Sequence, residues 1–347
     1  MYQDEKIKSP PYFSIVMPTF NHVSTIAESL DSILIQNFTN FEIIVSNDGS
    51  DESYEAVKDR YSAEPRVKWH LDQGNLGYCG NLRRAMDKAS GKVIFYFASD
   101  DVMGVGALSA YFDAFSENPQ VKAIARTYFA YEEKPSIPIR AKPVIGNKQF
   151  EIISLDSQLK DIKSVFSTLD QLSGLAFYKE EIRILPNDHV FPSHAYPVAD
   201  IFSRTGVLGY FNKDYLAVRV GESQCRTVSK IYDISPVETW DIFLRTIFMQ
   251  SHPEIYKYLS KNWIAKNPIG LFQIANFSQK PLYYVLREWV IMCKLNPTNL
   301  LSIWMYCSLL MSIFIPKVAL IMLIDFIKIK LNKSFIRKIF FVKPEFN

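Results

Sequence analysis

Residues 92–102 read KVIFYFASDDV, and this stretch decides the fold. Val93–Ala98 is an apolar run, rich in β-branched and aromatic side chains, which is typical of a strand buried on both faces. It ends abruptly at Ser99, Asp100 and Asp101, so two carboxylates follow the strand, where open α/β sheets bind their ligands. Carboxylates suit Mg²⁺ or Mn²⁺, and such a cation could neutralise a diphosphate. The alternative is a polar turn that caps a following helix, because Asp is common in turns.

Length and charge are those of a folded protein with a basic tail. The 347 residues suffice for one large domain or two smaller ones, and a net charge of +3 is too small to indicate nucleic-acid binding. The charge is uneven, because residues 280–347 carry ten Lys/Arg and three Asp/Glu, a net +7, and the rest carries −4. A basic, apolar tail on a mildly acidic body indicates an anionic surface as partner.

The cysteines and the N-terminus favour a cytoplasmic protein. The four cysteines, at positions 79, 225, 293 and 307, form no CxxC pair, so we expect reduced thiols and no zinc site. The first residues, MYQDEKIKSPPYF, lack the apolar core of a signal peptide.

Two earlier apolar runs also end in polar loops. Ser14–Met17 leads into PTFN, and Phe41–Val45 leads into SNDGSD. Helical patterns separate the runs, at 24–37, 52–61 and 81–89, and 67–71 reads as a further strand. This alternation predicts an α/β fold with a mostly parallel, doubly wound sheet whose polar strand ends converge on one edge. A GxGxxG or GxxxxGK[ST] motif is missing, which argues against a usual dinucleotide site and a P-loop.

Four ordered motifs together resemble the family 2 glycosyltransferases of GT-A fold. They are SIVMPTFN, FEIIVSNDGSDES, NLGYCGNLRRAMDKASG and IFYFASDD, within residues 13–115. The resemblance implies transfer of a sugar from a nucleoside-diphosphate sugar to a hydroxyl with inversion, assisted by Mg²⁺ or Mn²⁺. It also implies a saccharide acceptor, lipid-linked where the enzyme extends bacterial surface polysaccharides.

The resemblance also implies site residues. Nucleotide-sugar contacts fall on Pro18, Thr19, Phe20, Asn21, Asp48 (facing the base), Asn75, Gly77 and Asp100; the metal ligands are Asp101 and Asp100. A plain turn explains Asn75 and Gly77 equally well. The family pattern is often D-x-D-D, and Ala98 replaces its first carboxylate, which leaves two for the metal.

Inverting transfer needs a general base for the acceptor hydroxyl. We predict Asp200, where the family often has Glu-Asp and this chain has Ala199 before the Asp. A helix N-terminal Asp favoured by the dipole is the alternative reading, and Asp188 and His194 are the local competitors.

Arginines further along could bind the donor diphosphate. Residues 210–220 resemble the family strand that often ends in Arg-x-His; Arg219 is present and Gly221 replaces the His. Arg219 or Arg226 could contact the diphosphate through the guanidinium fork, or could be solvated surface residues.

The tail predicts a membrane-associating helical extension. Leu300–Ile315 carries no charge, Pro316 and Lys317 interrupt it, and apolar residues resume to Ile324. This fits a re-entrant or interfacial hairpin better than a spanning helix, and a buried helical pair is the alternative. We therefore predict a glycosyltransferase domain at 1–232 and a helical region at 233–347, on the cytoplasmic face of the inner or plasma membrane. The rival functions are a sugar nucleotidyltransferase and an inactive membrane scaffold.

Overall fold

The computed structural model describes residues 10–71, 74–142, 144–186, 192–220, 233–323 and 326. The strands are β1 (Phe13–Thr19), β2 (Phe41–Asn47), β3 (Val67–His70), β4 (Val93–Tyr96), β5 (Val102–Met103), β6 (Ala123–Arg126), β7 (Phe129–Tyr131), β8 (Pro138–Ala141), β9 (Phe150–Ser154), β10 (Ala176–Tyr178), β11 (Val207–Phe211) and β12 (Leu216–Arg219). The helices are α1 (Ile26–Leu34), α2 (Glu55–Arg60), α3 (Gly77–Lys88), α4 (Ala107–Glu117), α5 (Leu159–Phe166), α6 (Tyr196–Thr205), α7 (Pro236–Phe248), α8 (Pro253–Asn262), α9 (Ile269–Phe277), α10 (Pro281–Leu295) and α11 (Ile303–Phe314).

The main sheet has eight strands in the order β3-β2-β1-β4-β10-β6-β11-β9. Strands β3, β2, β1 and β4 pair in parallel, β6 and β11 run in the same direction, and β10 and β9 are antiparallel to their neighbours. The predicted parallel strands are present, and the antiparallel strands β10 and β9 make the sheet mixed, which was not predicted. Because β1, β2 and β4 are parallel, their carboxyl ends meet at one edge.

Burial on both sheet faces explains the continuous apolar runs. Val16 and Ile44 contact one core cluster, which includes side chains of α3, α5 and α6. Their neighbours Ile15 and Ile43 contact a second cluster on the opposite face, with side chains of α1 and α4. All four are fully buried, so alternation along each strand supplies both layers.

A second sheet has the strand order β5-β12-β7-β8. Its strand β5 begins directly after Asp101, in the chain segment that follows the carboxyl end of β4. Residues 116–150 contain β6, β7 and β8, and β7 pairs with the distant strand β12. The second sheet also corrects one expectation. Residues 210–220, read as one strand, are divided between β11 and β12, which belong to different sheets.

The tail helices pack on the sheet domain. The ring of Phe243 on α7 lies 6.3 Å from that of Phe166 and 4.9 Å from that of Tyr196, and the Phe248 ring lies 5.4 Å from Phe166. One apolar cluster thus spans α5, α6 and α7. Within the ranges given above, every helix falls short of the length and apolarity needed to cross a membrane.

Candidate active site

The carboxyl edge is formed by the loops 18–22, 47–51 and 97–101, which follow β1, β2 and β4. The first two are joined by hydrogen bonds: the Thr19 carbonyl accepts from the Asp48 N–H at 2.9 Å, and the Asn21 N–H donates to Ser50 Oγ at 2.8 Å. The Asp51 N–H donates back to Asn21 Oδ1 at 3.0 Å. Asn21 takes a left-handed φ of 53°, which Asn tolerates better than most residues and which this double contact holds.

The third loop joins the first through polar side chains. His22 Nδ1 lies 2.9 Å from Ser99 Oγ, and Thr25 Oγ1 donates to the Ser99 carbonyl at 3.2 Å. Thr19 Oγ1 lies 2.7 Å from the Tyr54 hydroxyl and is 2% exposed. The three predicted loops are therefore brought together, and Pro18 and Phe20 in the first loop are half-buried.

Asp48 holds the start of α3. Its Oδ1 accepts from the Leu76 N–H at 2.7 Å and lies 3.5 Å from Arg84 Nη2. The turn itself is closed by Asn75 Oδ1, which accepts from the Gly77 N–H at 3.0 Å, and Gly77 has a φ of 72°. The contacts of Asn75 and Gly77 are those of a turn, and contact between Asp48 and a base stays a prediction.

The two carboxylates of the Asp100–Asp101 pair lie in different surroundings. Asp101 is 1% exposed; its Oδ2 accepts from Ser173 Oγ at 2.5 Å and its Oδ1 from the Arg219 N–H at 3.0 Å. Burial, together with the neighbouring Asp100 carboxylate, raises the pKa of Asp101. Asp100 is 9% exposed, and its backbone carbonyl accepts from Arg219 Nε at 3.2 Å. Each Asp101 oxygen thus accepts one protein hydrogen bond, and the role of Asp101 as a metal ligand stays a prediction.

Arg219 lies beside the pair, and its contact with a diphosphate stays a prediction. Besides the contacts with both Asp residues, its guanidinium forms an ion pair with Glu28 and lies 4.8 Å over the Tyr131 ring. A diphosphate would compete with Glu28 for this guanidinium. Arg226, Gly221 and Asp188 lie outside the described residues.

A buried arginine that sequence reasoning missed shapes the neighbouring loop, 168–174. Arg126, fully buried at the end of β6, donates to the carbonyls of Ser173, Thr168 and Gln171. The loop is also joined to β4, since the Gly174 N–H donates to the Tyr96 carbonyl at 2.8 Å. Ser173 in turn contacts Asp101, so Arg126 acts on the pair through this loop. Nothing in the local sequence AIAR signals that role.

The described contacts of Asp200 do not bring it to the carboxyl edge. Its Oδ2 accepts from Arg204 Nε at 2.9 Å, and Arg204 also donates to the Glu181 carbonyl at 2.5 Å. Glu181 follows β10, whose last residue pairs with Val93, the first residue of β4. Glu181 therefore lies at the opposite edge of the sheet, and Arg204 draws the Asp200 carboxylate toward it. The spacing of four residues between Asp and Arg on one helix could have predicted this pair.

His194, the alternative candidate for the general base, lies nearer to the carboxyl edge than Asp200 does. Its Nδ1 is 3.0 Å from the hydroxyl of Tyr78, in the first turn of α3, and its Nε2 is 2.9 Å from the Leu169 carbonyl. It thus joins α3 to the loop 168–174.

The donor set limits how a cation could be held. Among the residues that the structure describes, no group of three or more His, Cys, Asp and Glu side chains could hold a metal. Mg²⁺ commonly uses one or two carboxylates and takes its other ligands from substrate phosphates and water. Asp100 fits that requirement, and a cation there would relieve repulsion between the adjacent carboxylates.

Curated relatives match about a quarter of the chain. The GalNAc(5)-diNAcBac-PP-undecaprenol beta-1,3-glucosyltransferase of Campylobacter jejuni is 36% identical over 101 residues, 28% of this chain and 33% of the relative. The Escherichia coli UDP-Glc:alpha-D-GlcNAc-diphosphoundecaprenol beta-1,3-glucosyltransferase WfgD is 33% identical over 89 residues, 26% of this chain and 35% of the relative. The chain thus matches about a third of the length of these two relatives.

Solved structures share the fold, and a family profile covers most strands of the main sheet. Staphylococcus aureus TarS 1–349 in complex with UDP superposes with a TM-score of 0.54 at 15% identity, covering 86% of this chain and 88% of that one. The α/β GT-A-like fold expected from the motifs is confirmed. Residues 14–178 match the profile of Glycosyl transferase family 2. These residues carry the loops of the carboxyl edge and the loop 168–174, so this part of the chain is similar to the family 2 glycosyltransferases.

Proposed function

We propose that this chain transfers a sugar, with inversion, from a nucleoside-diphosphate sugar to a hydroxyl of a lipid-linked saccharide in surface-polysaccharide synthesis. The observation that carries the proposal is the joining of the three loops at the carboxyl edge, which places Thr19, Asp48 and Asp100 on one side of the sheet. The names of both glucosyltransferase relatives include an undecaprenol-linked saccharide, which supports a lipid-linked acceptor.

Asp100 is the residue we assign to a cation, and Asp101 is the residue that positions it. When bound, Mg²⁺ or Mn²⁺ would neutralise charge on the diphosphate leaving group. Asp101 holds the Ser173 hydroxyl and the Arg219 N–H, so it fixes the loop 168–174 and β12 around Asp100. Arg219 would bind diphosphate oxygens once it leaves Glu28.

Nucleotide binding tests this assignment directly. We expect UDP or GDP to bind in the presence of Mn²⁺, and Asp100→Asn to lose about 10-fold or more in affinity, since a charge-assisted contact is worth about 1.5–3 kcal/mol. The matched control is Asp87→Asn, an exposed carboxylate on α3, which should bind as the wild type does. Equal binding by Asp100→Asn and the wild type would contradict the cation assignment and favour an inactive scaffold.

The role of Asp200 as general base remains our prediction, and its pairing with Arg204 makes it testable. A base should lose about 100-fold or more in transfer on Asp200→Asn, while nucleotide affinity stays constant. A purely structural partner of Arg204 should instead lower the free energy of unfolding and leave turnover of the folded protein unchanged. Single-turnover transfer, together with denaturation of the same preparations, separates these results.

We also propose that α10, α11 and the residues between and after them dock on a membrane. Most exposed large apolar side chains of the described residues lie here: Leu282, Tyr283, Leu286, Val290, Leu300, Leu301, Ile303, Trp304, Tyr306, Leu310, Phe314, Val318, Met322 and Phe326. Leu301 and Ile303 are 87% and 81% exposed, which a soluble surface rarely sustains in one patch. Trp and Tyr suit the headgroup layer, and the following sequence is basic, which suits anionic lipids.

Vesicle flotation tests this docking. We expect the full chain to bind vesicles of phosphatidylglycerol and phosphatidylethanolamine, and the double variant Ile303→Glu/Phe314→Glu to lose about 10-fold or more, because burying such a side chain is worth about 1.5–3 kcal/mol. The control is Ile137→Glu, at the residue directly before β8, which is 61% exposed and lies outside the tail. If all three proteins bind alike, this surface does not contact the membrane.

A further inference from the structure

Tyr78 and His194 form a polar pair beside the carboxyl edge. Tyr78 stands in the first turn of α3 and is 40% exposed, whereas His194 is 2% exposed. The hydroxyl of Tyr78 lies 3.0 Å from His194 Nδ1, and the rings meet edge-on with centroids 6.2 Å apart. The buried residue therefore holds the exposed one.

The proton positions in this pair follow from its third member. His194 Nε2 lies 2.9 Å from the Leu169 carbonyl, and a carbonyl can only accept, so Nε2 carries the proton. Burial lowers the pKa of His194 to about 4, so the ring is neutral at ordinary pH and Nδ1 is an acceptor. The Tyr78 hydroxyl then donates to Nδ1.

This arrangement fixes what Tyr78 can offer to a ligand. A phenol has one proton to donate, and here it is directed at His194. The phenol oxygen can therefore only accept a further hydrogen bond, and the ring adds an aromatic surface. Sugar hydroxyls donate hydrogen bonds, and sugar C–H faces pack on aromatic rings, so the pair is matched to a saccharide.

The pair of Tyr78 and His194 lies between the start of α3 and the loop 168–174. On one side, Tyr78 follows the turn whose Leu76 N–H donates to Asp48. On the other side, Leu169 belongs to the loop 168–174, whose Ser173 contacts Asp101. The pair therefore joins the segment that contacts Asp48 to the loop that contacts Asp101.

We propose that Tyr78 contacts a saccharide, accepting a hydrogen bond from one of its hydroxyls, and that His194 is the positioning residue that fixes the direction of the Tyr78 hydroxyl. This inference rests on the proposed function, because it takes the ligand to be a sugar donor or acceptor. Either source presents the same hydroxyl chemistry.

Equilibrium binding to the full chain tests the contact without turnover. The probes are UDP, UDP-glucose and an alkyl-diphosphate-linked N-acetylglucosamine, measured by calorimetry with Mn²⁺. Tyr78→Phe should weaken either UDP-glucose or the acceptor analogue by about 3- to 10-fold, the worth of one hydrogen bond, and leave UDP unchanged. The probe that weakens identifies the donor sugar or the acceptor as the source.

The positioning role of His194 is tested by a double-mutant cycle. His194→Phe should reproduce the loss seen in Tyr78→Phe, and the double variant should lose no more than either, because both remove one contact. His194→Asn keeps an acceptor for the Tyr78 hydroxyl and should restore affinity to within about twofold. Additive losses would show that His194 acts elsewhere and would overturn the positioning role.

The remaining outcomes separate this inference from the proposed function. Unchanged affinity of Tyr78→Phe for both saccharide probes, with wild-type binding of UDP-glucose intact, overturns the saccharide contact alone. A wild-type protein that binds neither UDP nor either sugar probe overturns the proposed function and the contact together.

Discussion

Replacing Glu288 by Gln should make the protein more stable at alkaline pH. Glu288 on α10 is fully buried; its Oε1 accepts from the Val237 N–H at 3.0 Å, and Ser235 Oγ donates to its Oε2. It therefore joins the tail to the first turn of α7. Burial, the largest influence, raises the pKa of Glu288 from 4.5 to about 7; Glu238 also raises it, and the two hydrogen bonds and Arg287 oppose the rise.

The sign and size follow from linkage. The folded pKa is above the unfolded value, so the folded state binds the proton more tightly. This contribution to stability is fully present below about pH 4.5 and is lost as pH rises through about 7. A difference of about 2.5 pKa units corresponds to about 3 kcal/mol. Gln resembles the protonated acid, with an oxygen for the Val237 N–H and a donor toward Ser235.

Urea unfolding followed by tryptophan fluorescence at pH 5, 6, 7 and 8 measures the effect. We expect Glu288→Gln to match the wild type at pH 5 within about 1 kcal/mol, and to exceed it by about 3 kcal/mol at pH 8. Other titrating groups are common to both proteins, so the difference isolates Glu288. Parallel pH profiles of the two proteins would refute the argument.

The other predictions concern the loops around the carboxyl edge, and each is measured as a change in the free energy of unfolding. Gly174→Ala should cost about 2–5 kcal/mol, because φ is +81° and the new Cβ would lie 2.8 Å from Leu216 Cδ2. The control Gly106→Ala, where φ is +76° and the Cβ would meet open space, should cost only about 1–2 kcal/mol. Equal costs for the two variants would contradict the steric argument. Arg126→Met should cost about 3–5 kcal/mol, since it leaves three loop carbonyls without their donor, and a near-neutral result would show that the loop holds itself. Asp214→Asn should reduce the loss of stability between about pH 4 and 7, because burial raises the pKa of Asp214 to about 7; an unchanged profile would exclude that group.

Local patterns predicted the part of the fold that depends on neighbouring residues. The apolar runs identified β1, β2 and β4, and the helical patterns at 24–37, 52–61 and 81–89 fall on α1, α2 and α3. The second sheet was missed because its pairing is distant: Phe129 on β7 pairs with Ala217 on β12, and a short strand between polar loops has no periodic signal of its own.

The contrast between local patterns and distant contacts also explains how much of the candidate site could be predicted. The loops of the carboxyl edge could be predicted, since each directly follows an apolar run. The partners of Asp101 could not, because Ser173 and Arg219 reach it from 72 and 118 residues away. For Asp200 the available signal was local, the Arg204 one turn later, and a motif-based assignment passed over it.

The two adjacent carboxylates at the end of β4 have different roles in the proposed site: Asp100 binds the cation and Asp101 positions the surrounding segments. Asp100 and Asp101 are both buried in the turn that follows β4, and two like charges so close together oppose each other's ionisation. The Asp101 carboxylate accepts from Ser173 Oγ and from the Arg219 N–H, which belong to the loop 168–174 and to β12. Burial of this carboxylate is costly unless those donors are present. Loss of either donor should therefore disturb Asp100 as well, so cation binding at Asp100 depends on the order of the loop 168–174 and of β12.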